Sequence, residues 1–177
     1  MNNPAKCLIN NLAVRFSFTI ILCVLFNLSV QAEDDCVRAL PKPIVKTDSK
    51  RVTNYSMVKT DHRNIEERFT LDKTNNIRIK QFGCAHFGVR YAKKINEIPG
   101  NDNTTLKYAL AFIEELKGVA YFQLRDAEKA IRDTIEKGNW KPGEPITVIE
   151  GYEWVVVEVA KDKQDELSLQ IGVDIAL

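Results

Sequence analysis

The most regular pattern in the chain is an alternation over residues 167–177. Leu167, Leu169, Ile171, Val173, Ile175 and Leu177 recur at every second position, with Ser168, Gln170 and Asp174 between them. A period of two sorts side chains onto opposite faces of a strand, so this segment is predicted to be an antiparallel strand with one dry face. Residues 153–160 (EWVVVEVA) precede it across a charged connection and complete a hairpin. Residues 67–73 alternate too, with Phe69 and Leu71 inward and Arg68 and Thr70 outward. Thr74-Asn75-Asn76 has turn chemistry, and Ile77-Arg78-Ile79-Lys80 alternates again, which predicts a second hairpin over 67–81. Residues 84–95 extend the sheet. One face there carries Ala85, Phe87, Val89 and Tyr91, and the other carries Cys84, His86, Gly88 and Arg90. Gly83 and Gly88 mark a bulge, a bend or a close backbone approach. Residues 52–58 and 146–149 are short strand candidates.

Between these strands the period becomes helical. Leu106, Leu110, Ile113, Leu116 and Ala120 share one face, widened by Ala109, Phe112 and Val119. Asn103 or Thr104 can cap this helix after the loop at 99–103. A second stripe, Leu124, Ala127, Ile131 and Ile135, runs to a stop at Gly138. Glu128/Arg132 and Arg132/Glu136 stand at i,i+4 spacing on its exposed side. Gly118 and Tyr121-Phe122 divide the stretch into two helices or kink a single one. Strands, then helices, then strands predict an α+β fold: an antiparallel sheet with two helices, or one kinked helix, packed on one face, in the order β-β-β-α-α-β-β. That single domain is expected over 65–177. The polar residues 33–64, broken by Pro41 and Pro43, are expected to form an extended N-terminal arm.

The first thirty-two residues read as an address. Lys6 and Arg15 are basic, residues 16–30 are apolar, and Val30-Gln31-Ala32 suits a signal peptidase. A cleaved signal peptide over 1–32 sends the protein to the periplasm or outside the cell, with no stable membrane anchor afterwards. The rival is an uncleaved anchor. Against it, the apolar run is shorter than the ~20 residues a spanning helix needs and is interrupted by Ser17, Thr19, Asn27 and Ser29.

Composition narrows the class. With 177 residues, 45% hydrophobic and 28% charged, the chain fits one globular domain rather than a disordered or fibrous one. A net charge of +1 excludes a charge-driven affinity for nucleic acid. Of the four cysteines, Cys7 and Cys23 lie in the signal, leaving Cys36 and Cys84. In an oxidising compartment the pair reads as one disulfide. It would close a loop of roughly 50 residues, worth about 4 kcal/mol in the loop-entropy model. The alternative is a reactive thiol or a metal ligand at Cys84. Cys84-x-His86 supplies two ligands, but only His62 remains among the histidines, so no metal is expected.

Catalytic signatures are missing. No G-x-S-x-G, S-x-x-K, H-E-x-x-H or P-loop occurs, and no cofactor motif is present. Glu66-Glu67 and Glu150/Glu153 could imitate a glycosidase dyad, although chance pairs are expected at this charge density. Candidate binding residues are His86 and Arg90 on one strand face, with Trp140 and Tyr152 as aromatic anchors beside charges. The plain alternative makes His86 an ordinary face residue and has Trp140 close the helix end against the sheet. The expected function is binding to another protein, as an inhibitor or immunity-type neutraliser of a cell-envelope enzyme. Two rivals stand beside it: a small secreted hydrolase or ligand-binding protein with a pocket near His86, and a structural envelope component that assembles through an edge strand of the C-terminal hairpin.

Overall fold

A computed structural model describes residues 41–61, 63–84, 86–161 and 166–176. The signal segment 1–32, Cys36 and the first part of the expected arm lie outside the described residues, as do His62, Ala85, 162–165 and Leu177. The strands are β1 (Val52–Lys59), β2 (Ile65–Leu71), β3 (Asn75–Phe82), β4 (His86–Lys94), β5 (Ile146–Ile149), β6 (Glu153–Lys161) and β7 (Leu167–Ala176). Two helices, α1 (Asp102–Leu116) and α2 (Leu124–Lys137), separate β4 from β5. The fold is the α+β layer the sequence predicts, with both short strand candidates joined to the sheet.

All pairings are antiparallel, in the order β1-β2-β3-β4-β7-β6-β5. β7 returns to pair with β4 and closes the gap between the N-terminal and C-terminal strands. The β6–β7 hairpin is therefore internal and β1 and β5 are the edges, which corrects the expectation of an edge in the C-terminal hairpin.

Both helices lie against one face. α1 touches β6 and β7, and α2 touches β5 and β6. The inward positions of the alternating strands form the core with them: Phe69, Leu71, Ile77, Ile79, Val89, Tyr91, Val155, Val157, Leu169, Ile171 and Val173. The helices contribute Leu106, Ala109, Phe112, Ile113, Leu116, Leu124, Ala127 and Ile131. There are two helices because the first ends at Leu116 and Gly118 takes a left-handed φ of +76°. The cap differs from expectation. Asn101 stands at the N-cap, and its side chain accepts from the Thr104 N–H at 2.8 Å, so Asn103 and Thr104 lie inside the first turn. At the other end Gly138 closes α2 in the left-handed conformation, as predicted.

A buried carboxylate holds the segment before β1 in place. Glu67 is 0% exposed and points inward between β2's apolar positions. It accepts from Ile44 N at 3.0 Å, Val45 N at 3.2 Å and the Tyr55 hydroxyl at 3.1 Å. These bonds seat Val45 in the core, while Lys46 N donates to Val119 O at 2.9 Å. Its neighbour Glu66 points to the other face. The two carboxylates are on opposite sides of the sheet and cannot act as a dyad, since adjacent strand residues face apart.

Candidate functional site: the open face of the sheet

No described element covers the face of the sheet opposite the helices. Register places its side chains in rows across the strands. One row runs Val58, Glu66, Lys80, Arg90, Gly172, Val156, and the next runs Ser56, Arg68, Arg78, Ala92, Gln170, Glu158. A third holds Phe82, Gly88, Asp174 and Trp154. The face mixes cations, carboxylates and half-buried aromatic rings.

The charges are unevenly satisfied. Burial opposes ionisation of Glu66, yet hydrogen bonds and charges from Lys80 and Arg68 outweigh it and hold the carboxyl below its ordinary value. Lys80 lies 3.1 Å from it. Lys94 pairs with Glu166, and Arg90 reaches Glu158 at 3.8 Å. The Arg90 guanidinium also lies 5.8 Å from the centre of the Phe82 ring. Its Nε is buried and has no acceptor among the described residues. Arg78 has no ion pair or hydrogen bond among the described residues and stands directly opposite Arg68. Like charges directly opposite each other destabilise a strand pair, so this juxtaposition is not explained by folding.

Two glycines let large side chains lie flat on this face. A Cβ on Gly88 would stand 2.4 Å from the Phe82 ring and 2.7 Å from Asp174 Oδ1. A Cβ on Gly172 would stand 3.2 Å from the Arg90 guanidinium. Burial raises the Asp174 pKa, against the opposing charges of Arg90 and His86. Gly83 serves a different purpose. Its φ of +100° turns the chain from β3 to β4, and a Cβ there would collide with the His86 carbonyl oxygen at 1.8 Å. The expected close approach is thus a backbone at Gly83 and a side chain at Gly88.

Three of the four candidate binding residues fall on or beside this face. His86 is exposed opposite Ala176, whose N–H donates to Tyr152 O at 2.8 Å, so His86 and Tyr152 share one end of the sheet. Tyr152 is 45% exposed in the turn between β5 and β6. Arg90 is half-exposed further along β4. Trp140 does not join them. It is 8% exposed, packs in the core, and its Nε1 donates to Glu144 O at 2.9 Å. The expectation of Trp140 as a surface anchor is corrected: its ring closes the loop between α2 and β5. The missed residues are Arg78, Arg68, Lys80 and Ala92. Their outward parity was visible in the sequence, but only strand register shows that they adjoin.

Two shallow grooves cross the face, of about 500 and 760 Å³. Both are lined by Arg78, Lys80 and Ala92, so they meet over Ala92. His86 lines neither groove. Among the described residues no cluster of His, Cys, Asp and Glu could hold a metal ion. No protein-family model, curated protein or solved structure matches the chain.

Proposed function

We propose that this is an exported protein that acts by binding another protein through the open face of its sheet. The role that suits it is inhibitor or immunity-type neutraliser of a cell-envelope enzyme. The observation that carries this reading is the face itself: a broad surface of strands β2, β3, β4, β7 and β6 that no described element covers, crossed by two open grooves. Half-buried Phe82 and Trp154 and exposed Val58 supply apolar contact beside the charges. A Cys36–Cys84 disulfide belongs to the same proposal. Cys84 stands in the β3–β4 turn, where such a bond would tether the N-terminal arm to the sheet.

The rival of a hydrolase or ligand pocket at His86 has less support. The imidazole is exposed at the end of a strand and lines neither of the two grooves, and its neighbouring carboxylate, Asp174, has no hydrogen bond to it among the described residues. General acid–base work needs groups within hydrogen-bond reach around a substrate site.

The test is affinity capture from envelope and culture extracts with the exported chain, its disulfide intact, and mass spectrometry of what is retained. One stoichiometric protein partner, whose activity changes on binding, is the expected result. A repeated blank under gentle conditions, together with turnover of a small substrate that is lost in His86→Ala, would overturn the proposal.

A further inference from the structure

We infer that the hollow over Ala92 is a receptor for an acidic side chain of the partner protein, with Arg78 as its principal contact. This deepens the binding reading above and rests on it. Ala92 is buried, and its small side chain forms a floor between Arg78 on β3 and Gln170 on β7. Arg90 and Lys94 flank it along β4, and both grooves open onto it. The rim is rich in donors whose own acceptors are incomplete. Arg78 has no partner among the described residues, and Arg90 Nε is buried without one. The half-buried Arg78 guanidinium is accessible to an incoming acceptor, whereas Arg90 Nε is closed to solvent and Arg90 contributes through its charge. A planar guanidinium receives a carboxylate through two parallel hydrogen bonds, which a lone ammonium cannot do.

The surrounding charges select the class of occupant. Glu66, Glu158 and Glu166 alternate with the cations, so the face is not a continuous positive field. A nucleic-acid backbone or an anionic vesicle presents repeated charge and would meet these carboxylates. One carboxylate, or a few spaced ones, on a protein surface fits between them, with Phe82, Val156 and Trp154 making apolar contact beside it.

The probe is a short oligo-glutamate peptide titrated into the exported protein at low salt, followed by amide and arginine Nε–H resonances in NMR spectra. Oligo-glutamine, a single-stranded oligothymidylate and phosphatidylglycerol vesicles run in parallel. Saturable shifts should centre on Arg78, Ala92, Arg90 and Gln170 with oligo-glutamate alone. Arg78→Gln should weaken binding ~10-fold, as expected for loss of a charge-assisted pair. Ala92→Leu, which fills the floor and keeps every charge, should also weaken it. Arg125→Gln, which removes an exposed cation on α2, should leave affinity unchanged. Equal weakening by Arg125→Gln, no saturable shift, or tighter binding of the oligothymidylate or the vesicles would each overturn the inference. The titration needs no captured partner, so it can fail while the binding function stands. A captured partner indifferent to Arg78→Gln would likewise contradict this site alone.

Discussion

Glu67→Gln is predicted to lower stability by about 3 kcal/mol, a large share of the margin of a small domain. The native carboxylate offers one oxygen to Ile44 N–H and the other to Val45 N–H and the Tyr55 hydroxyl. An amide of the same shape has only one acceptor oxygen. Whichever way it is turned, its NH₂ faces a backbone N–H, and that donor loses its partner. A buried donor left unsatisfied costs roughly 1–3 kcal/mol, and the remaining bonds weaken as they lose charge assistance. Such a loss corresponds to a fall of ~10 °C in Tm for a domain of this size. Urea unfolding of the protein measures it, with Glu66→Gln as a control on the opposite face. The damage should be local as well, so the Val45 amide should exchange much faster in the variant. A double-mutant cycle with Tyr55→Phe should give a coupling of ~1 kcal/mol, because both groups share one oxygen. A loss below ~1 kcal/mol with Val45 still protected would refute the view that this carboxylate seats the segment before β1.

Tyr55 should also make stability pH-dependent in alkali. Burial, then the charge and hydrogen bond of Glu67, push its hydroxyl up from 10.0 to about 12. The unfolded chain ionises first, so this contribution is complete below pH 10 and is lost as pH rises towards about 12. Tyr55→Phe should flatten that limb of the stability profile. In acid the sign reverses for Glu128. Hydrogen bonds from Arg132 and Tyr121, opposed by burial and helped by Lys117, lower its pKa from 4.5 to about 2. Its contribution is complete above 4.5 and is lost as pH falls towards about 2, and Glu128→Gln should remove that dependence. Gly83→Ala should cost ~3 kcal/mol or abolish folding, since it combines a φ of +100° with a 1.8 Å clash against the His86 carbonyl; an unchanged Tm would contradict the turn described. Trp140→Phe should cost ~1–2 kcal/mol of stability in urea unfolding through the lost bond to Glu144 O, while partner affinity holds.

Much of the architecture is legible in the sequence because period carries it. The alternation in β7 and the 3.6-residue stripe in α2 each fix which side chains go inward: Leu169, Ile171, Val173 and Ile175 are buried, as are Leu124, Ala127 and Ile131, while Leu167 and Ile135 at the ends are partly buried. Sheet order was not legible. Nothing local says that β7 crosses back to β4, because that pairing joins residues more than seventy positions apart along the sequence, such as Gly88 and Asp174. The site followed the same divide. His86 and Arg90 drew attention as polar residues beside glycines, yet Arg78 becomes informative only when register sets it between Arg68 and Ala92. Trp140 misled because an aromatic beside a lysine in a loop reads as exposed, whereas its indole N–H found an acceptor within the same loop. Glu67 was hidden for the opposite reason: a glutamate beside a glutamate reads as surface charge until two backbone amides turn towards it.

In the proposed function the uncovered face of the sheet meets the partner. Hydroxyl-radical footprinting of the captured complex against the free protein tests it most directly, because oxidisable rings stand on both sides of the fold. Phe82 and Trp154 lie on the open face, while Tyr108 is exposed on α1. Binding should protect Phe82 and Trp154, with Tyr152 at the edge of the footprint, and leave Tyr108 oxidised as before. Protection of Tyr108 with Phe82 and Trp154 unchanged would contradict it and move the interface to the helices.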